Sequence, residues 1–216
     1  MHPVALRFKR HVETYGETSR AAYASIADQL GSIDAQIVRG WVLHSRVTIW
    51  KDPVVEMTRT KALGLLYKQL QKDSSRSRTG MADYLLVFRA PGENPKPITQ
   101  TPANFPLDQW QEWASPVWMS VRQTHTLNAA TAREDADERH LCPLQFDVIE
   151  RAIRLWSNPG DTVLSPFLGI GSEGVVSLQQ ARRFIGVELK HAYFAQAAQY
   201  LDAADRQLAL FAEASA

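Results

Sequence analysis

TVLSPFLGIGSEGVVSLQQARRFIGVEL, residues 162–189, is the stretch whose reading decides the fold. Thr162 to Phe167 is rich in β-formers and predicts a strand. Gly169-Ile170-Gly171-Ser172-Glu173-Gly174 is a literal G-x-G-x-x-G, and the apolar spacing from Glu173 to Gln180 predicts a helix. Arg183 to Leu189 predicts a second strand, with Glu188 near its end, 19 residues after the first glycine. Strand, glycine loop, helix and strand make a βαβ unit. In such a unit the glycines let the backbone turn tightly and approach a ligand, and a carboxylate ending the second strand can accept both ribose hydroxyls of an adenosine. The competing reading is a glycine turn that serves packing alone, with Glu188 as a surface acid.

A dinucleotide-binding domain begins at this loop and needs a second mononucleotide half after it, yet only 42 residues follow Gly174. The rest of the sheet is therefore expected upstream, in permuted order. Residues Ser19 to Arg39 carry Ala22, Ile26, Leu30, Ile33 and Ile37 at helical spacing, with Gly40 at the cap. Trp41 to Trp50 predicts a strand that Asp52-Pro53 stops. Glu56 to Lys72 predicts one helix, with Leu63, Leu66 and Leu70 on one side and Lys61, Lys68 and Lys72 on the other. Asp83 to Arg89 predicts a buried-type strand, and five prolines from Pro91 to Pro106, with Gly92, predict a long irregular connection. Arg133 to Arg139 is a solvated mixed-charge stretch. A helix through Phe146, Ile149, Ile153 and Trp156 leads to Asn158-Pro159-Gly160, and a last helix runs from Ala192 to Ala203.

The whole composition excludes several classes. With 24 Lys+Arg against 23 Asp+Glu, no global field argues for nucleic acid or membrane, so any such partner must be read from a local patch. A single cysteine, Cys142, excludes an intrachain disulfide framework, and six scattered histidines supply no zinc-ligand spacing. No metal is expected. The N-terminus turns charged too soon for a signal peptide and no run reaches the roughly 18 apolar residues of a spanning helix, so a cytoplasmic location without membrane contact is expected.

His140 to Glu150 (HLCPLQFDVIE), Trp156 to Asp161 (WSNPGD), Ser165 to Gly171 (SPFLGIG) and Arg183 to Glu188 (RFIGVE) occur in one order. Together they resemble the C-terminal motifs of DNA adenine-N6 or cytosine-N4 methyltransferases, especially phage-type members. The resemblance covers roughly Trp41 to Tyr200. It implies an α/β, Rossmann-like fold that binds S-adenosyl-L-methionine (SAM), in permuted order, with the catalytic half before the cofactor half. The whole chain, 1–216, then reads as one methyltransferase-like domain. Its segments are a helical piece (1–40), strand-helix-strand (41–89), a long loop or insert (90–139) and the SAM-binding βαβ half (140–216). The resemblance places Pro166, Phe167, Gly169, Gly171 and Ser172 in the SAM loop, Glu188 on the ribose, and His140 to Gln145 beside the methionine end. It also implies DNA methylation of the restriction-modification kind, in a bacterium or a phage-infected cell. This chain departs from the family at Ser165, where Asp is usual, and in L-C-P-L-Q after His140, where P-T-Q-K-P is common.

The family's catalytic element, Asp/Asn/Ser-Pro-Pro-aromatic, holds the exocyclic amine and stacks the flipped base. None of the 11 prolines here is adjacent to another, so the catalytic residues remain unknown. Ser165-Pro166-Phe167 imitates the element but already forms the cofactor turn. The sheet is expected to be incomplete, with an unpaired inner edge on the Thr162 strand. That edge suits a second chain supplying the catalytic half, or a homo-oligomer. Between Met57 and Thr79, Arg59, Lys61, Lys68, Lys72, Arg76 and Arg78 face one acid, Asp73, an excess of five positive charges. Lys61, Lys68, Lys72, Arg76 and Arg78 are the candidate contacts to DNA phosphates, against an ordinary solvated lysine face. Trp110, Trp113 and Trp118 read as a satellite core under the long loop. Two rival functions are a non-catalytic nucleic-acid-binding or regulatory remnant and, from the glycine motif alone, an NAD-dependent oxidoreductase.

Overall fold

Asp52 does more than end a strand. Its carboxylate accepts the backbone N–H of Val54 at 2.7 Å and of Val55 at 3.3 Å. Pro53 then takes the first helical position, where its missing N–H leaves nothing unsatisfied. In the computed structural model, which describes residues 40–128 and 142–214, the chain runs β1 (Val42–Ile49), α1 (Pro53–Thr60), a 3-10 turn (Leu63–Leu65), α2 (Tyr67–Lys72), a second 3-10 turn (Ser74–Arg76) and β2 (Asp83–Arg89). It continues through α3 (Leu107–Trp113), β3 (Val117–Trp118), α4 (Phe146–Trp156), β4 (Thr162–Ser165), α5 (Ser172–Gln179), β5 (Arg183–Gly186) and α6 (His191–Ala214). The segments Ser19 to Arg39 and Arg133 to Arg139, with His140, lie outside the described residues.

Two compact units form. Gly40–Gly92 and Gln100–Gln123 make one; among the described residues, Glu93–Thr99 and the chain from Thr124 onward make the other. In the first unit the sheet order is β2-β1-β3, with β2 antiparallel and β3 parallel to β1. The period-2 alternation of β1 buries Val47 and Ile49, and the register sets buried Trp118 beside Ile49. Phe105 packs edge-on against Trp113 with ring centroids 5.3 Å apart, and the Trp118 indole N–H donates to the Trp113 carbonyl at 2.9 Å. Trp113 and Trp118 are core, as their spacing suggests, whereas Trp110 is half exposed. The expected loop over 90–139 is thus not structureless, since it contains α3 and β3.

The single helix expected from Glu56 to Lys72 is not formed. Lys61 takes a left-handed conformation (φ 55°) and its N–H closes α1 on the Met57 carbonyl. The Gly64 carbonyl, which a continuous helix would give to Lys68, instead accepts Arg78 N–H at 3.0 Å. Without a common helix the apolar side predicted for Leu63, Leu66 and Leu70 does not exist, and Leu63 and Leu70 are exposed.

In the second unit β4 and β5 pair in parallel from Thr162–Arg183 to Ser165–Gly186. Both strands are shorter than expected: Pro166 has no N–H to extend the ladder, and beyond Gly186 the Val187 N–H and carbonyl engage Ser165 and Leu168 at 2.9 Å in a turn. Ile149 and Ile153 of α4 bury against Val176 of α5, with Phe146 and Val163 at the margin. Among the described residues β4 has no strand partner besides β5, so the sheet is partial, as expected. Asn158 fastens the 93–99 segment: its amide donates to the Pro97 carbonyl at 3.0 Å and its Oδ1 accepts Thr99 N–H. Asp161 closes the same turn by accepting Asn158 N–H at 2.7 Å and Lys96 Nζ at 2.9 Å, and that lysine bond foremost lowers its carboxyl pKa. α6 extends to Ala214, beyond the expected Ala203, through a run rich in Ala and Leu that favours helix.

Gly174 is where α5 meets its neighbours. A Cβ there would stand 2.5 Å from Leu201 Cδ2 and 2.8 Å from Phe184 Cε1. Gly174→Ala should therefore destabilise the chain by about 1–3 kcal/mol in chemical denaturation. Combined with Leu201→Ala, it should cost clearly less than the two changes summed; simple additivity would show that Leu201 is not what the methyl group meets.

Candidate functional site

The loop after β4 is held from both sides. Ser165 is buried at the strand's end, Pro166 and Phe167 follow half-buried, and Gly171 N–H closes the turn on the Leu168 carbonyl at 3.0 Å. Gly169 (φ 55°) and Gly171 (φ 98°) both occupy the left-handed region that side chains rarely adopt. Their surroundings differ. A Cβ on Gly171 would meet Ala197 Cβ of α6 at 3.2 Å, whereas a Cβ on Gly169 would meet nothing within 4 Å. Packing alone thus accounts for Gly171 and Gly174, while Gly169 borders open space. Ser172 is buried at the first position of α5.

Glu188 reaches this loop. One carboxylate oxygen accepts Gly169 N–H at 2.8 Å and the other accepts Lys190 N–H at 2.8 Å, so the end of β5 is tied to the loop after β4. A carboxylate has about four acceptor positions, which leaves one open on each oxygen. The reading of Glu188 as a mere surface acid does not fit these bonds. The structure therefore brings Gly169 and Glu188 together, with Gly171 and Ser172 next along the same loop and Pro166 and Phe167 between it and the end of β4.

Two features here are not legible in the sequence. Glu173, in the first turn of α5, is half-buried, and that burial foremost pushes its carboxyl pKa up. His125 Nδ1 lies 2.7 Å from Asp147 Oδ1, and its carbonyl accepts Phe146 N–H at 2.9 Å, so a residue with no motif around it braces the start of α4. Among the described residues no cluster of three or more His, Cys, Asp or Glu could hold a metal, and no helix is long and apolar enough to cross a membrane.

The basic residues lie in the other unit, on the connection from β1 to β2. Lys61, Lys68, Lys72, Arg76 and Arg78 are all exposed. Arg76 is 3.3 Å from Asp73, and a Cβ on Gly64 would stand 3.0 Å from Arg78 Cγ, so the two ends of the basic stretch are drawn together. Glu56 pins the base of this excursion. It is buried, and its Oε2 accepts Met81 N–H at 2.9 Å.

Glu188→Ala should speed hydrogen exchange at the Gly169 and Lys190 amides while leaving α4 protected; unchanged exchange at both would show that the carboxylate does not hold the loop. Glu173→Gln should stabilise the protein near neutral pH. The folded state holds that proton more tightly than the unfolded chain, so the favourable contribution is present below the ordinary carboxylate range and lost as pH rises through the raised pKa. The gain over wild type should vanish toward pH 4 in denaturation midpoints, and a gain independent of pH would point to some other cause.

The DNA methylase family model matches residues 21–199. The chain is 43% identical over 83 residues to the type II methyltransferase M1.MboII of Moraxella bovis, covering 38% of this chain and 30% of that protein. It is 25% identical over 186 residues to the DNA adenine methyltransferase YhdJ of Escherichia coli, covering 80% and 56%. Among solved structures, a DNA modification methylase of Thermus thermophilus complexed with S-adenosyl-L-methionine superposes with a TM-score of 0.55 at 20% identity. That match covers 79% of this chain and 58% of the other, and it shows a shared fold. The chain thus spans between about a third and somewhat over half the length of these relatives. With the motif order of 140–188, the glycine loop and the family match over most of its length in agreement, the chain belongs to the DNA methylase family.

Proposed function

We propose that this chain is the cofactor-binding half of a SAM-dependent methyltransferase acting on the amino group of adenine or cytosine in DNA. The observation that carries this reading is the open space over Gly169 next to the Glu188 carboxylate. The residues present fit the cofactor's adenosine portion. Glu188 has a free acceptor position on each oxygen for two ribose hydroxyls, already aimed by the bonds to Gly169 and Lys190. Gly169 permits close approach of the ligand to the backbone, and Pro166, Phe167, Gly171 and Ser172 shape the rest of the loop. When bound, SAM supplies a methyl group activated by its sulfonium.

In this reading the chain's own task is placement. Methyl transfer to an exocyclic amine gains most of its rate from aligning the two reactants, and a loop fixed by backbone bonds holds one of them. Holding the amine and stacking the flipped base belong to a Pro-Pro-aromatic element, and these 216 residues contain no adjacent prolines. We place that element outside them, in another chain or segment that completes the sheet beside β4. The exposed basic connection from Lys61 to Arg78 supplies phosphate contacts.

The test is isothermal titration with SAM, S-adenosylhomocysteine and NAD, together with a tritiated-SAM transfer assay on DNA. SAM and S-adenosylhomocysteine should bind and NAD should not. Glu188→Ala should weaken binding by about 1–3 kcal/mol, and most of that loss should disappear for an analogue lacking both ribose hydroxyls. An equal loss with the analogue would mean that Glu188 acts only by holding the loop. The 216-residue chain alone should transfer no methyl group. Robust turnover abolished by Phe167→Ala with SAM binding intact would place the catalytic element at Ser165-Pro166-Phe167 instead.

A further inference from the structure

The β1–β2 connection exposes apolar side chains that a solvated lysine face has no use for. Tyr67 is 72% exposed and Leu63 70%, and both stand within the most basic stretch of the chain. On α2, Tyr67 and Leu70 are three residues apart and share one flank. Lys68 and Lys72, four apart, share another, about 150° around the helix at roughly 100° per residue. Between these two flanks, on the inward side, Gln69 is half-buried and its amide donates to the Asp73 carbonyl at 3.1 Å. The helix therefore presents a cationic flank and an apolar flank to solvent at once. The excursion is also braced, by Glu56 on Met81, by Gly64 on Arg78, and by Asp73 accepting Ser75 N–H and hydroxyl.

We infer that this connection is a DNA wedge: Lys68 and Lys72 seat on phosphates, while Tyr67, with Leu63, enters the groove and unstacks a base step. The inference rests on the DNA reading of the preceding section and says what the apolar residues of that surface do. Charge selects the occupant. Exposed Leu63 and Tyr67 within the same short stretch as exposed Lys61, Lys68, Lys72, Arg76 and Arg78, with Asp73 already engaged by Arg76 and Ser75, complement a polyanion that also offers apolar surface. Stacked bases between two phosphate chains are such a partner. Side chains that wedge between base steps are commonly apolar, and they kink the duplex because unstacking is repaid by closer contact along the backbone.

The experiment uses the full chain and a short duplex of mixed sequence, labelled with fluorescein for anisotropy and with a dye pair at its ends for bending. Wild type should bind with a steep salt dependence and shorten the end-to-end distance. Leu63→Ala/Tyr67→Ala should weaken binding about fivefold or more, keep the salt slope and abolish the bend. Lys68→Gln/Lys72→Gln should flatten the slope by about two. All four side chains are exposed, so the melting temperature of each variant should match wild type and serves as the folding control. Unchanged affinity and bending in Leu63→Ala/Tyr67→Ala overturns the wedge and leaves the phosphate contacts standing. Unchanged DNA binding with a loss of self-association in sedimentation assigns the patch to a protein partner instead. No binding of the duplex by wild type overturns the DNA reading itself, and the wedge with it.

Discussion

The Glu188 carboxylate, shared between the N–H groups of Gly169 and Lys190, is the interaction on which the loop between β4 and α5 depends. The β4–β5 ladder is four residue pairs long and parallel, a pairing somewhat weaker per residue than the antiparallel kind. A carboxylate bonded to two backbone N–H groups adds charge-assisted bonds where that ladder ends. It also holds Gly169 in its left-handed conformation, with the space beside it left clear. The same acid that orders the loop thereby presents its remaining lone pairs to whatever enters.

Around this clamp, absent side chains set the distances. Gly171 lets Ala197 come within about a methyl contact, and Gly174 admits Leu201 and Phe184, so α6 lies close against the start of α5. The G-x-G-x-x-G spacing accordingly divides its labour: the first glycine borders open space, and the second and third bring the helices together. Glu173 sits among these positions as a desolvated acid, a cost that the packing of its helix sustains.

The basic connection follows a different logic. Its positive residues are spread over 18 positions of sequence, and one continuous helix would have displayed Lys61, Lys68 and Lys72 as a lysine face over a buried leucine stripe. Breaking the helix at Lys61 and turning the chain back through Gly64 and Arg78 exposes Leu63 and Leu70 instead and brings Arg78 beside the first of these turns. A surface of mixed apolar and cationic character results from those breaks, and composition alone does not report it.

The sequence by itself determined the elements whose signals are local. The 146–156 helix stands where its periodicity puts it, and β4, α5 and β5 differ from expectation only at their ends; the 83–89 strand keeps its expected bounds but not its expected burial, since none of its residues is buried and Tyr84 and Leu86 are exposed. Register of strand, glycines, helix and acid also made Glu188 legible as the partner of the loop, because a βαβ unit brings the ends of its two parallel strands together. Tertiary structure decided what depends on contacts between distant residues. Arg78 taking the Gly64 carbonyl ended the expected 56–72 helix, and β3 formed because Thr48 and Trp50 found acceptors at Pro116 and Trp118, far along the chain. His125 meeting Asp147, and burial raising the Glu173 pKa, belong to the same class. Periodicity reports which side of an element prefers to be buried. Which backbone groups find which partners, and which carboxylates lose their water, is settled only when the chain has closed on itself.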